Sequence, residues 1–308
     1  MNTVITLVSQ TLTMFLLAAV GYLLFRRGKI TPEGNKVLGN LLIHIALPCV
    51  IINSFIVERT VERMIGLLVS ALGAAVILAI SILCARIFFK KDPIGHFAAA
   101  FSNPGFFGIP LILSSIGNDG VFYVAAFIAF LNLLQWTYGV AVMTGKKGGL
   151  TFKAVIKAPF MIAIIVGLLL FFTGIPLPGV ITKTLGYIKE LNTPLAMFTV
   201  GVYLAQTSIR KMFFRKSLYL VSLVRLLVIP FVTMLLLCLM PPAWHDARFA
   251  LLLASACPVG SNVAVYAQLH DQDYPYAVET VIISTLLSII TIPAITWLAQ
   301  QIWQWISF

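Results

Sequence analysis

Residues 94–115 read IGHFAAAFSNPGFFGIPLILSS, an apolar run long enough to cross a membrane but interrupted in its middle. Two prolines and two glycines fall within seven residues, at Pro104, Gly105, Gly108 and Pro110. Proline removes a backbone donor and clashes with the carbonyl group four residues earlier, so the helix must unwind locally. Because unsatisfied backbone groups in lipid cost several kcal/mol, we expect this break to face protein or a water-filled cavity.

The composition of the whole chain places most of it in lipid. The chain has 308 residues, of which 60% are hydrophobic and only 10% are charged. That is too little charge to cover the surface of a soluble protein of this size, so a soluble enzyme, a disordered protein and a disulfide scaffold are excluded. The net charge of +11 does not indicate nucleic-acid binding, because the Lys and Arg residues form short clusters between apolar runs.

Ten apolar segments can each form a membrane-spanning helix, which requires about 20 residues. The runs are continuous rather than alternating, so helices are favoured over strands. The predicted fold class is an all-α, polytopic membrane protein. The ten predicted spans are residues 3–25, 35–56, 64–89, 94–115, 119–143, 158–174, 180–207, 217–240, 247–269 and 275–303.

The positions of Lys and Arg predict the orientation. The loops after odd-numbered spans carry fifteen Lys and Arg residues, and the loops on the other side carry five. Loops rich in Lys and Arg face the cytoplasm, so both termini are expected to be extracytoplasmic in a multi-pass protein of the inner (plasma) membrane. The short basic loop 144–157 then lies on the cytoplasmic side, between a first half of residues 1–143 and a second half of residues 158–308.

Five spans in each half require the second half to enter the membrane from the opposite side. Pro48 in span 2 matches Pro194 in span 7, and the break in span 4 matches residues 258–260 in span 9. Paired interrupted helices in two inverted halves indicate a transporter binding site near the midplane. The half-helix after each break begins with free N–H groups that suit an anion, and Asn103 and Asn262 stand beside the breaks. The simpler alternative is that the prolines only kink the helices.

Four short motifs lie in spans 2, 4, 7 and 9. They are residues 47–48 (LP), Asn103 followed by residues 108–111 (GIPL), residues 196–201 (AMFTVG) and residues 256–260 (ACPVG). They resemble the proline-broken second helix and the N-x(4)-G-I-P-L, A-M-F-S-x-G and A-x-P-x-G motifs of the auxin efflux carrier family. That family includes the PIN-FORMED auxin exporters of plants and bacterial malonate and malate permease-like proteins.

The resemblance implies a five-plus-five inverted repeat in which broken helices 4 and 9 cross, as in bile acid symporter-like folds. Spans 1, 2, 6 and 7 would form a scaffold domain, and spans 3–5 and 8–10 would form a transport domain that moves like an elevator. In the family, the asparagine at Asn103 and a residue three past the proline of span 2, here Ile51, line the pocket. Plant members suggest a homodimer, and they carry an acidic residue in span 3 that this sequence lacks. The candidate substrate-binding residues are Pro48, Ile51, Asn103, Pro104, Gly105, Gly108, Pro110, Pro194, Pro258, Gly260, Ser261 and Asn262.

Three polar side chains inside the predicted spans are candidates for a charge or pH role. His44 and Glu190 each lie four residues before the proline of their span. A polar side chain there can complete the broken turn, or it can face the pocket and titrate. Arg225 lies inside span 8, where it could neutralise an anionic substrate, extend to the interface or pair with a carboxylate such as Glu279.

We therefore expect a secondary transporter of a small organic anion, such as malonate, malate or an auxin-like acid. A sodium-coupled symporter of the bile acid type and a non-transporting subunit of a larger assembly are the alternatives. The sequence has no enzyme motif and no phosphate-binding loop, so neither catalysis nor ATP use is expected. The cysteines have no ligand spacing, and neither a metal nor another cofactor is expected.

Overall fold

The computed structural model describes residues 3–145, 156–206, 212 and 214–306, and these residues are almost entirely helical. The helices of the first half are α1 (Thr3–Arg26), α2 (Pro32–Leu41), α3 (Leu47–Ser54), α4 (Val61–Phe88), α5 (Pro93–Ala100), α6 (Ile109–Leu134) and α7 (Val140–Thr144). Those of the second half are α8 (Pro159–Thr173), α9 (Gly179–Glu190), α10 (Asn192–Gln206), α11 (Lys216–Leu223), α12 (Ile229–Leu237), α13 (His245–Ala256), α14 (Asn262–Leu269) and α15 (Tyr274–Ile306).

Six helical stretches among the described residues are long and apolar enough to cross a membrane. They are Ile5–Arg26, Pro32–Ser54, Val61–Phe88, Pro104–Thr144, Lys216–Leu237 and Tyr274–Trp305. The chain is therefore an all-helical, polytopic membrane protein, as predicted. The remaining predicted spans are shorter or divided helices, and the inverted repeat of ten spans stays a prediction.

One predicted span and one of the six long helical stretches are each divided in two. The predicted span 180–207 is divided at Leu191 into α9 and α10. The stretch Pro104–Thr144 has 41 residues, but Gly117 interrupts it with φ 70° and ψ −155°. Only glycine adopts that conformation readily, and the interruption falls between the predicted spans 94–115 and 119–143.

Wide π-helical turns lie just before three prolines. The turns are Leu42–Ala46, Pro104–Gly108 and Val224–Val228, and the second residue after each is Pro48, Pro110 or Pro230. A proline supplies no N–H to the carbonyl four residues earlier. The extra residue in the turn relieves this defect within the helix.

Small residues bring α1 and α10 into close contact. A Cβ atom built on Gly201 would lie 1.9 Å from the Ala18 carbonyl oxygen, and one on Gly21 would lie 2.5 Å from that of Phe198. Glycines at a helix interface let the two backbones approach closely in a membrane. The predicted AMFTVG motif, residues 196–201, therefore packs α10 against the first helix of the chain.

Candidate functional site: the crossing of two broken helices

Two non-helical segments meet where the broken helices cross. The segment of residues 101–103 follows α5, and the segment of residues 257–261 follows α13. The Asn103 N–H donates to the Pro258 carbonyl oxygen at 3.0 Å, and the Gly260 N–H donates to the Phe101 carbonyl oxygen at 3.0 Å. The two segments thus form a short antiparallel bridge. Each break supplies hydrogen-bond partners that the other break needs, so both persist inside the membrane domain.

Gly260 is required by this close approach. A Cβ atom there would lie 2.9 Å from the carbonyl oxygen of Ser102, a separation that real side chains avoid. Next to it, the Val259 N–H donates to the Ser284 hydroxyl oxygen of α15 at 3.0 Å. The second break is therefore fixed on one side by the first break and on the other side by α15.

Asparagines stand at the start of the half-helix after each break but make different contacts. The Asn103 side-chain oxygen accepts from the Phe106 N–H at 3.3 Å, which is a helix N-cap. The Asn262 side-chain amide instead donates across to the Gln135 side-chain oxygen at 2.7 Å. Gln135 begins the π-helical turn Gln135–Gly139 that follows α6, and it is 1% exposed. The two halves of the site are therefore joined by backbone hydrogen bonds and by a hydrogen bond between side chains.

A cavity of about 50 Å³ lies beside this crossing. A volume of this size holds a few water molecules or a small polar group. Its lining combines the N-terminal ends of both half-helices with amide side chains, and no described residue that lines it carries a carboxylate. The lining residues are Leu47, Ser102, Asn103, Pro104, Gly105, Phe106, Ile128, Leu131, Asn132, Gln135, Gly260, Ser261 and Asn262.

Half of the twelve predicted binding residues line this cavity. They are Asn103, Pro104, Gly105, Gly260, Ser261 and Asn262. The structure also brings in Gln135 and Asn132, which the sequence analysis missed. The sequence contained a signal for these two residues, because an Asn and a Gln three residues apart in an apolar span share one helix face.

The other six predicted residues lie outside the cavity lining. Pro258 and Gly108 belong to the crossing: the Pro258 carbonyl accepts from Asn103, and a Cβ atom on Gly108 would lie 3.0 Å from the Cys257 Sγ atom. Pro110 is buried in the first turn of α6. Ile51 is 0% exposed and packs in the core, whereas Leu47, one turn earlier on α3, reaches the cavity. Pro48 and Pro194 are half-buried, and binding roles for these six residues stay predictions.

His44 and Glu190 are also outside the cavity. Both side chains are exposed on the surface of the described chain. The His44 Nδ1 atom lies 3.1 Å from the Asn40 carbonyl oxygen, one turn earlier on the same helix. The structure does not bring either residue to the crossing, so a charge or pH role for them stays a prediction.

Arg225 lies at the crossing, although the sequence suggested the wrong partner for it. Its side chain is 1% exposed. One guanidinium nitrogen donates to the carbonyl oxygens of Ala99 at 3.0 Å and Ala100 at 3.3 Å, and the other donates to the carbonyl oxygen of Ser255. Glu279, the carboxylate proposed for it, forms an ion pair with Arg215 at 3.2 Å instead. Arg225 therefore binds the C-terminal ends of α5 and α13.

Broken helices that cross in an apolar helical bundle, beside a polar cavity, are typical of membrane transport proteins. The chain belongs to a family described as "Membrane transport protein" (Mem_trans), the auxin efflux carrier family, whose sequence profile matches residues 6–296. It is a transporter family and not a family of enzymes.

Three relatives are similar over nearly their whole length. A protein of Rhizobium meliloti (strain 1021) named "Putative malonate transporter" is 25% identical over 94% of this chain and 95% of its own length. An uncharacterized transporter of Methanocaldococcus jannaschii is 26% identical over 96% of this chain and 97% of its own. An uncharacterized transporter of Methanothermobacter thermautotrophicus is 23% identical over 92% of this chain and 95% of its own.

Proposed function

We propose that this transporter carries a small organic anion, a carboxylate such as malonate or malate, or an auxin-like acid, across the inner membrane. The observation that carries the proposal is the convergence of two half-helix N-terminal ends, with Asn103, Asn262 and Gln135, on one cavity that has no carboxylate among its described lining residues. Helix N-termini and amide N–H groups stabilise anions. The relative named for malonate supports a carboxylate substrate.

The charges at the crossing favour an anion for a second reason. The negative C-terminal ends of α5 and α13 are bound by the guanidinium of Arg225, whereas the positive N-terminal ends beside the cavity have no such counter-charge among its lining residues. The crossing as a whole is therefore electropositive toward the cavity. This arrangement disfavours a cationic cargo.

The domain organisation that we propose is an inverted repeat of residues 1–143 and 158–308. The scaffold comprises spans 1, 2, 6 and 7, and the transport domain comprises spans 3–5 and 8–10. Contacts within the described chain support this division. Helix α1 packs on α10 and α3 packs on α8 and α9, whereas α4 packs on α5, α6 and α13, and α6 packs on α13. The transport domain would move past the scaffold like an elevator, with both termini extracytoplasmic and two copies of the chain in a homodimer.

We further propose that the structure represents a state open toward the cytoplasm. At the predicted outer end, the Lys189 ammonium of the scaffold donates to Asn53 at 2.8 Å and to Asn118 of the transport domain at 3.4 Å. At the predicted cytoplasmic half, an apolar cleft of about 390 Å³ separates α1 and α10 from α15, with Tyr22 and Leu204 among its lining residues. The bridge at the predicted outer end and the cleft at the predicted cytoplasmic half are the two features that support this proposal.

Uptake of radiolabelled malonate into proteoliposomes tests the proposal, with malate and indole-3-acetate as parallel substrates. We expect saturable uptake by the wild type and losses of about tenfold or more in Asn262→Ala and Gln135→Ala, since hydrogen bonds to a charged ligand contribute about 1.5–3 kcal/mol. Asn40→Ala is the matched control, because Asn40 is exposed on α2 away from the cavity. Wild-type rates in both cavity variants would place the site elsewhere, and absence of uptake for every carboxylate would refute the substrate class.

A further inference from the structure

Arg225 occupies an unusual position for a charged side chain in a membrane protein. It lies in the π-helical turn Val224–Val228 that joins α11 to α12. From there its two terminal nitrogens reach carbonyl groups of two different helices, α5 and α13. A buried charge inside a membrane domain is expensive and indicates a function that requires it.

The two helix ends that Arg225 binds are the negative ends of their dipoles. Each helix terminus carries about half an elementary charge, so the two C-terminal ends together match one guanidinium. The last carbonyl groups of α5 and α13 also lack partners within their own helices. Arg225 therefore supplies both the positive charge and the N–H donors that the C-terminal ends of α5 and α13 need where they meet.

In transporters with broken helices, the C-terminal ends of half-helices and the unwound carbonyls commonly coordinate the coupling Na⁺ or H⁺. We propose that Arg225 is a fixed counter-cation that takes this place, so that anion transport by this protein requires no Na⁺ at the crossing. The inference rests on the proposed transport of an anion, and it assigns Arg225 as a positioning residue rather than a substrate ligand.

The geometry separates Arg225 from the substrate. It contacts the ends of α5 and α13 that precede the breaks, whereas the cavity is lined by residues of the breaks themselves, of the half-helices after them and of neighbouring helices. Arg225 is not among these lining residues. A carboxylate partner does not explain its position either, because Glu279 is paired with Arg215. The contacts of Arg225 are those of a cation that organises carbonyl oxygens.

The first experiment measures malonate uptake in proteoliposomes with either Na⁺ or N-methylglucamine outside. We expect the wild type to transport equally in both media and Arg225→Met to lose about 20-fold in rate, because charge-assisted hydrogen bonds are lost. Guanidinium at about 10 mM should raise the uptake rate of Arg225→Met at least about fivefold, because it refills the empty site. Arg248→Met is the matched control: Arg248 is 4% exposed on α13 but stacks on Trp303, so its uptake should show no rescue by guanidinium.

A second readout does not depend on transport. Thermal unfolding of the purified protein should show that guanidinium at about 10 mM raises the Tm of Arg225→Met and leaves that of the wild type unchanged, since only the variant has an empty site. If no carboxylate is transported but this shift is seen, the proposed substrate is wrong and the counter-cation stands. If Arg225→Met does not fold, Arg225→Lys keeps the charge, and we expect it to fold and to transport without Na⁺ at about one fifth of the wild-type rate. Uptake by the wild type that requires Na⁺, or wild-type behaviour of Arg225→Met in both assays, overturns the proposal.

Discussion

The two breaks in the helices look alike in sequence but are held differently. At the first break the asparagine acts locally, because Asn103 caps its own half-helix through the Phe106 N–H. The second break is held from outside, by Ser284 on the Val259 N–H and by Gln135 on the Asn262 side chain. Both breaks share the backbone bridge, but the side-chain contact of Asn103 is local, whereas those of the second break come from the helices around it. We expect substitutions at the second break to alter function through their neighbours.

The largest effect should come from filling the space at Gly260. In Gly260→Val the added atoms meet the Ser102 carbonyl oxygen, already 2.9 Å from an ideal Cβ, and overpacking of this kind costs about 1–3 kcal/mol. We expect a lower Tm of the purified protein and loss of uptake. Gly105→Ala at the first break is the control for stability, because its Cβ would lie 3.7 Å from Leu47 in ordinary contact. Equal Tm values for the two variants would show that the space between Gly260 and the Ser102 carbonyl oxygen is not tight.

Substitution of Asn103 should mainly lower stability, whereas substitution of Asn262 should mainly lower transport. Asn103→Ala removes a helix cap and should lower stability by about 1 kcal/mol. Asn262→Ala removes a side chain that reaches over the cavity and should lower uptake with a smaller change in unfolding. A double-mutant cycle of Asn262→Ala with Gln135→Ala should show a coupling of about 0.5–3 kcal/mol in uptake, since the two side chains are in direct contact. Additive effects of the two substitutions would mean that the pair does not act together.

Ser284 supports the second break from α15. Ser284→Ala leaves the buried Val259 N–H without its side-chain acceptor, which should cost about 1–3 kcal/mol of unfolding free energy. Ser288→Ala, one turn later on the same helix, is the matched control, because the Ser288 hydroxyl donates to the Thr285 carbonyl oxygen of its own helix. Chemical denaturation in detergent compares the unfolding free energies of the two variants. A larger loss in Ser288→Ala would show that Ser284 of α15 does not support the second break.

The smallest effect should come from the contact between the proposed domains. Lys189→Met removes the hydrogen bonds to Asn53 and Asn118, which contribute about 0.5–1.5 kcal/mol each at most. We expect the population of protein that is open to the outside to rise roughly two- to tenfold. The assay uses a protein without its four native cysteines, in which a cysteine is introduced at Leu113. A larger outward-open population should make this cysteine react faster with a reagent added from outside. Lys183→Met, exposed on the same helix, should label at the starting rate. Equal labelling of the two variants would show that Lys189 does not hold the domains together.

Much of the fold was predictable because the signals are local. Composition and run length placed the helices in a membrane, and the Pro and Gly cluster around Pro104 placed the first break within a few residues of the observed segment 101–103. The partner of Arg225 was not predictable in this way. Its contacts are backbone carbonyls 126 and 30 residues away, and any residue type presents a carbonyl. Gln135 was missed because its span reads as continuous, although its polar side chain was a usable signal.

The amino-acid sequence alone determined that the chain is an all-helical membrane protein with interrupted helices in both halves, since hydrophobic run length and missing proline donors act within a few residues. The tertiary structure alone decided that the two breaks pair with each other, that six of the predicted residues share one cavity, and that Arg225 binds two helix ends rather than Glu279. The reason is physical: an interrupted helix only specifies that backbone groups need partners, and the packing of distant helices decides which partners they find.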